Sequence, residues 1–347
     1  MKTRKLTADE TAFFCEQLAI MLSSGLQLGD GLDILSHDID DNRLSGICSS
    51  LSVSINRGCT LAQSMTDCGA FPGYAVKMTH IGEATGRLDN VLNGLCSYYE
   101  EQAQLTRTTQ DAVLRPLVLT FMMSVVMAVM LAVVVPMFGD IFSTLGGGAD
   151  TLAEDTMRLA YTIGTIILCI TGALSLILAA AAVMSAIPSA AEKLAAFAAE
   201  FPLTRSISQK TETSAVASAL ALMVSTGISS DEAIEEACNL AISRKMKCAL
   251  TQCHKEVLEG TGFAEAIACA KIFPAVYSQS LKIAYTSGSF ERAWNKLAEQ
   301  CSTAAERSVS GLISVIEPVL VIILTASVGA VLLTIMLPLM NIISVIG

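Results

Sequence analysis

Charge is scarce in this sequence, and side chains suited to catalysis are scarcer. Asp, Glu, Lys and Arg make up 16% of the 347 residues, and three long runs contain none. The histidines are His37, His80 and His254, no two of them close in sequence; a lone histidine on a helical domain is ordinarily a surface or satisfied core residue. No Gly-x-x-x-x-Gly-Lys phosphate loop, Gly-x-Ser-x-Gly elbow or His-Glu-x-x-His pair occurs, so the commonest nucleotide, acyl-transfer and zinc-hydrolase machinery is missing. Cys248, Cys253 and His254 do not make a zinc site by spacing. Five residues turn a helix by about 140°, and no Cys-x-x-Cys knuckle completes the set. Basic tracts interleaved with aromatics are also missing, and the net charge is −10, which argues against nucleic acid as a partner. No alternating period-2 stretch of any length predicts a strand. The composition therefore points to an all-α protein that binds no cofactor or metal and is not an enzyme.

What the chain has instead is apolar length: 52% of its residues are hydrophobic. Leu117 to Phe138 is uncharged over 22 residues, enough to cross roughly 30 Å of hydrocarbon at about 1.5 Å per residue. Leu159 to Ala191 is longer, with Pro188 marking where the helix leaves the bilayer, and Pro318 to Gly347 is the third run. Three transmembrane helices are expected. The first follows about 115 residues of polar sequence, and Thr7 with Glu10 predicts a capping box rather than a signal peptide.

Orientation follows from Lys and Arg. Residues 1–116 carry nine of them and residues 188–317 carry twelve, whereas the 139–158 loop has Arg158 alone. By the positive-inside rule both large segments face the cytoplasm and the acidic loop faces outward. Ten of the eleven cysteines fall in those segments and Cys169 falls in a span, which predicts reduced thiols acting as small hydrophobes.

The chain also repeats itself at a constant offset of 202 residues. Phe71-Pro72 recurs as Phe273-Pro274, and Gly25, Gly58 and Gly86 recur as Gly227, Gly260 and Gly288. Pro116 and Pro136 bracket the first apolar run as Pro318 and Pro338 bracket the third. Helical apolar spacing, such as Phe14, Leu18, Met21 and Leu22 before Gly25, holds throughout both copies. About six helices per copy are expected. Two copies that enter the membrane from equivalent ends cross it in the same direction, so an additional span must return the chain. Leu159 to Ile187 supplies it.

The sharpest local cluster runs from Gly82 through Glu83 and Gly86 to Asp89. It is either a helix stop followed by a helix start, or a partner contact or weak cation site built on Glu83 and Asp89. Within the spans, Ser124, Ala128 and Ala132 in the first and Ala326 and Ala330 in the third have helix-packing spacing. No span contains Asp, Glu, Lys, Arg or His, which argues against an ion-coupled conduit.

Phe71-Pro, Gly82-Glu-x-x-Gly-x-Leu, Tyr98-Tyr99-Glu100, Pro116 before a span and Val135-Pro136-x-Phe138 after it resemble the type II secretion system F family. The resemblance covers about Phe13 to Asn341. It implies two homologous cytoplasmic six-helix bundle domains, at residues 1–116 and 188–317, in a polytopic protein of the bacterial inner membrane. Spans are expected at 117–138, 159–187 and 318–342, with a short outer tail at 343–347. The family's role would make the chain a homo-oligomeric platform without catalytic activity. Its implied partners are a hexameric secretion or pilus ATPase, pilin-like subunits and other inner-membrane assembly proteins. Two departures stand out: a short stretch before the first domain, and Arg87 where some members offer an oxygen ligand. A small-solute transporter or channel subunit is the alternative, and it would need several protomers to build a polar path.

Overall fold

The structure is a computed structural model that describes residues 4–137, 140, 151–186, 202–287 and 289–346. The described residues form helices joined by short turns, with no strand among them. Phe138, Pro188, Gly288 and most of the expected outer loop lie outside the described residues, and Ala330 and Pro338 are described by their backbone alone.

The first copy comprises α1 (Ala8–Ser23), α2 (Leu28–Asp38), α3 (Asn42–Asn56), α4 (Leu61–Cys68), α5 (Gly73–Thr85) and α6 (Leu88–Val129). After α7 (Thr151–Ala186) come α8 (Pro202–Ser225), α9 (Ser230–Leu240), α10 (Arg244–Leu258), α11 (Phe263–Ala270), α12 (Ala275–Ser287) and α13 (Phe290–Ile346). From α2 to α5, every helix boundary recurs 202 residues later. The duplication thus governs backbone structure, while the side chains have diverged.

Local chemistry explains the boundaries. Thr7 and Glu10 form the expected reciprocal capping box at α1. Asp41 and Thr60 cap α3 and α4, and Ser243 caps α10. Where a local cap is insufficient, a distant carboxylate supplies one. Glu212 is buried and accepts from the amides of Ile242 (2.7 Å) and Ser243 (2.6 Å) ahead of α10. The equivalent Glu10 serves its own helix and pairs with Arg43 at 2.6 Å.

The chain divides into two compact units. One comprises both copies, within Met1–Arg107 and Ala199–Glu306; the other comprises Thr108–Ala198 and Arg307–Gly347. In the first unit the two copies share one continuous hydrophobic core. Helix α8 explains why. Val216, Ala217, Ala219, Leu220, Ala221 and Leu222 are all buried, so the C-terminal half of this helix is covered on every side and packs inside both copies. Its second face meets α5 and α6. The Tyr74 hydroxyl donates to the carbonyl of Ala219 at 3.3 Å, Ser218 donates to Glu101, and Lys77 pairs with Glu236 of α9. Gly94 makes room at the centre, since a β-carbon there would lie 2.1 Å from Leu222 Cδ1.

In the second unit α6 ends in a five-residue π-helical segment, Met130–Val134. The Val135 amide donates to Met130 rather than one residue later, which leaves the Leu131 carbonyl to accept from the Tyr161 hydroxyl at 3.2 Å. Pro136 follows directly and has no N–H to donate, and a π-bulge is one way a helix accommodates such a gap. Leu131 packs closely against Gly164 of α7, where a β-carbon would lie 2.5 Å from Leu131 Cδ2.

Candidate functional site

The cluster from Gly82 to Asp89 is the turn between α5 and α6. Gly86 takes φ +69°, a left-handed conformation that glycine adopts without steric cost. The Arg87 amide donates back to the Gly82 carbonyl at 2.9 Å, closing the helix end. Gly82 is buried where α5 passes closest to Val91 of α6. Glu83 reaches across to the start of α4, where its two oxygens accept from the amides of Leu61 (2.6 Å) and Ala62 (3.3 Å). A carboxylate at a helix N-terminus satisfies orphan donors and meets the positive end of the dipole. Asp89 sits exposed in the first turn of α6. Arg87 is exposed, with its guanidinium 3.3 Å from where a β-carbon on Gly227 would stand, which brings this turn to the junction with the second copy. In that copy Tyr285 replaces Glu83 and packs on Phe290 at 5.4 Å.

Among the described residues no three His, Cys, Asp or Glu side chains gather as a metal site. Cys248 is exposed while Cys253 is buried, and the His37 ring bonds the carbonyl of Asp33 within its own helix at 2.8 Å.

All eleven cysteines are free thiols. Burial raises Cys15 to about 12, with Cys96 adding to it, and raises Cys253 to about 12 with help from Glu256. Cys48, Cys96 and Cys301 rise to about 11, chiefly through burial. Such thiols stay protonated and pack as small apolar groups. Burial also raises Tyr74, Tyr98 and Tyr99, which pack together with Tyr98 5.0 Å from each of the other two rings. The linkage has a definite sign. The folded unit keeps protons that the unfolded chain gives up, so this contribution is complete below pH 9 and is lost as pH rises through about 12. We expect the melting midpoint to fall steadily from pH 9 upward, and Cys15→Ala with Cys253→Ala to flatten that slope.

The small residues singled out in the spans take different positions. Ser124 and Ala128 are half-buried, and Ala132 and Ala326 are exposed. The described contact between α6 and α7 instead runs through Met127, Leu131 and Val135, with Ile167 and Leu168 packed beside them. Pro116 is buried inside an uninterrupted α6, and its carbonyl accepts from the Thr120 hydroxyl at 2.6 Å. Pro136 follows the π segment, and Pro318 is exposed within an uninterrupted α13. Two described helical stretches, Leu88–Met137 and Tyr161–Ala180, are long and apolar enough to cross a membrane; in α13 the described apolar stretch is Glu317–Gly329.

Sequence reasoning missed the junction between copies, the π segment with Tyr161, and the carboxylate caps of Glu83 and Glu212. The stretch from Val216 to Val224, apolar on all sides except for Ser218, was a usable signal for the first of these.

The family described as type II secretion system (T2SS), protein F matches residues 14–136 and again residues 216–338. The two matches are separated by the offset read from the sequence, 216 − 14 = 202. A type IV pilus assembly protein PilC from Myxococcus xanthus is 24% identical over 337 residues, covering 94% of this chain and 79% of its own. A PilC from Thermus thermophilus is 24% identical, over 97% of this chain and 84% of that one. A type II secretion system protein F from Pseudomonas aeruginosa is 23% identical, over 99% and 85%. With both copies matched in full register, the chain belongs to the family of type II secretion system protein F.

Proposed function

We propose that this chain is a non-enzymatic platform of the bacterial inner membrane that couples a cytoplasmic secretion-type ATPase to the assembly of pilin-like subunits. The observation that carries the reading is the double family match on a chain whose relatives are named for pilus assembly and for secretion. In this reading residues 1–116 and 188–317 are cytoplasmic, spans lie at 117–138, 159–187 and 318–342, the 139–158 loop and the 343–347 tail face outward, and the protein is a homo-oligomer. The hexameric ATPase would bind the helical unit from the cytoplasm.

The proposed mechanism uses two long helices. Helix α6 runs from the polar copy into its apolar stretch without a break at Pro116, and α13 does the same through Pro318. Motion received by the helical unit passes along these helices into the bilayer. A proline inside a helix lacks one backbone hydrogen bond and makes that point easier to bend. Exchanging both Pro116 and Pro318 for alanine is therefore expected to alter filament or pseudopilus assembly while leaving membrane insertion intact. Unchanged assembly would remove the bending role.

The partner assignment is tested by affinity purification of the tagged chain from native membranes in mild detergent. Recovery of a secretion-type ATPase with pilin-like subunits supports the platform and identifies its machine. An intact, membrane-extracted protein that brings down neither would contradict it.

A further inference from the structure

The junction between the two copies joins unlike faces: α5 and α6 of the first copy meet α8 and α9 of the second. A duplicated chain joined in this way keeps one unused copy of each face. The unused version of the first face lies on α12 and α13, and that of the second lies on α1 and α2.

Both unused faces expose apolar side chains where the junction uses its own. Val276 is 72% exposed, whereas the equivalent Tyr74 is 6% exposed inside the junction. Ile283 is exposed where Ile81 packs against the shared core. On the other face Ile20 is 51% exposed at the position of Leu222, which is 6% exposed. Ile34 is exposed at the position of Glu236, the partner of Lys77.

The grooves show the same asymmetry. In the second copy Ser214, Ser218, Ser302 and Ala305, from α8 and α13, are buried, and Ser218 binds Glu101 of α6. Of their equivalents in the first copy, Ala12 and Ala103 are also buried, but Glu16 and Glu100 are exposed, and the four line an open cavity of about 340 Å³ between α1 and α6 that the Asp9–Arg107 ion pair also borders. A filled groove and an empty one therefore occupy matching positions of the same repeat.

We propose that the empty groove and the apolar face beside it receive α13 and α12 of a second copy of this chain, continuing the internal junction from one protomer to the next. Each protomer offers one face of each kind, so the contacts run head to tail until they close. The second contact is not a literal duplicate. Lys296 stands where Gly94 admits Leu222, so the incoming helix sits further out, with the stem of Lys296 along Ile20. Its ammonium group, which pairs with Glu299 at 2.7 Å within one protomer, turns in this contact toward Glu16, one helical turn from Ile20 on the same face. Glu100 makes the groove wall more acidic. This inference rests on the repeat geometry and not on which machine the chain serves.

The test uses the full chain in detergent, with oligomer mass measured by native mass spectrometry. Ile20→Glu with Ile34→Glu disables one face, and Val276→Glu with Ile283→Glu disables the other; all four positions are exposed. The wild type is expected to be oligomeric, and each double variant alone monomeric. Mixing the two variants should restore a 1:1 pair, because each supplies the face the other lacks; that rescue also shows both are folded. A monomeric wild type, variants that keep the wild-type mass, or a mixture that stays monomeric would each overturn the proposal. A monomeric wild type would leave these faces to a different protein.

Discussion

Replacing Trp294 with alanine is expected to destabilise the two-copy unit by about 3–5 kcal/mol, the usual range for truncating a buried large aromatic. Trp294 is fully buried, with Phe263 at 5.7 Å and Phe273 and Phe290 each at 5.9 Å. Aromatic pairs at such distances add to the simple burial of area. At about 2–4 °C per kcal/mol for a unit of this size, the melting midpoint should drop by roughly 10 °C. Trp294→Phe provides the control. It keeps most of the ring volume and removes an indole N–H that finds no acceptor among the described residues, so it should cost much less. Because the copies share one core, hydrogen exchange in Trp294→Ala should quicken in α1 to α5 as well as in α8 to α12. Quickening confined to the second copy would show that the copies unfold separately.

Gly94→Leu should have the other large effect, and a different one in kind. A β-carbon at this position would stand 2.1 Å from Leu222 Cδ1, so the substitution must push α8 away from α6. Overpacking typically costs about 1–3 kcal/mol, and more where the backbone must move. Here the displacement also strains the Tyr74 bond to Ala219 and the Ser218 bond to Glu101. Each copy retains its own interior, so unfolding in urea should split from one transition into two. Leu222→Ala, which makes room for the new side chain, should partly restore a single transition. A single, unshifted transition in Gly94→Leu would mean that this contact does not hold the copies together.

The legible part of this fold was local or periodic. Thr7 with Glu10 predicted a capping box, and Gly86 marked the end of α5; both are realised. The offset linking Phe71-Pro72 to Phe273-Pro274 anticipated the matching boundaries of α2 to α5 and α9 to α12. Apolar spacing shows which face of a helix is buried but not what buries it. The contact between Glu101 and Ser218 joins residues 117 apart, and no local pattern encodes that pairing. Glu83 illustrates the same limit within the candidate turn. Its sequence setting leaves a surface contact open beside the turn, and only the approach of α4, more than 20 residues away, turns its carboxylate onto the amides of Leu61 and Ala62. Likewise, Pro136 signals that a donor is missing, but the π segment and its bond to Tyr161 depend on the neighbouring helix.

The platform reading requires the helical unit to face the cytoplasm, where an ATPase can reach it. Cys59, Cys248 and Cys269 are exposed on that unit, whereas Cys15 and Cys253 are buried and stay protonated, so the chain carries its own reporters. The most direct measurement is labelling with a membrane-impermeant maleimide in inside-out and right-side-out vesicles, mapped by peptide mass spectrometry. The account predicts modification of Cys59, Cys248 and Cys269 in inside-out vesicles and protection of all three in sealed right-side-out vesicles. Labelling of these thiols from the outer side would contradict it.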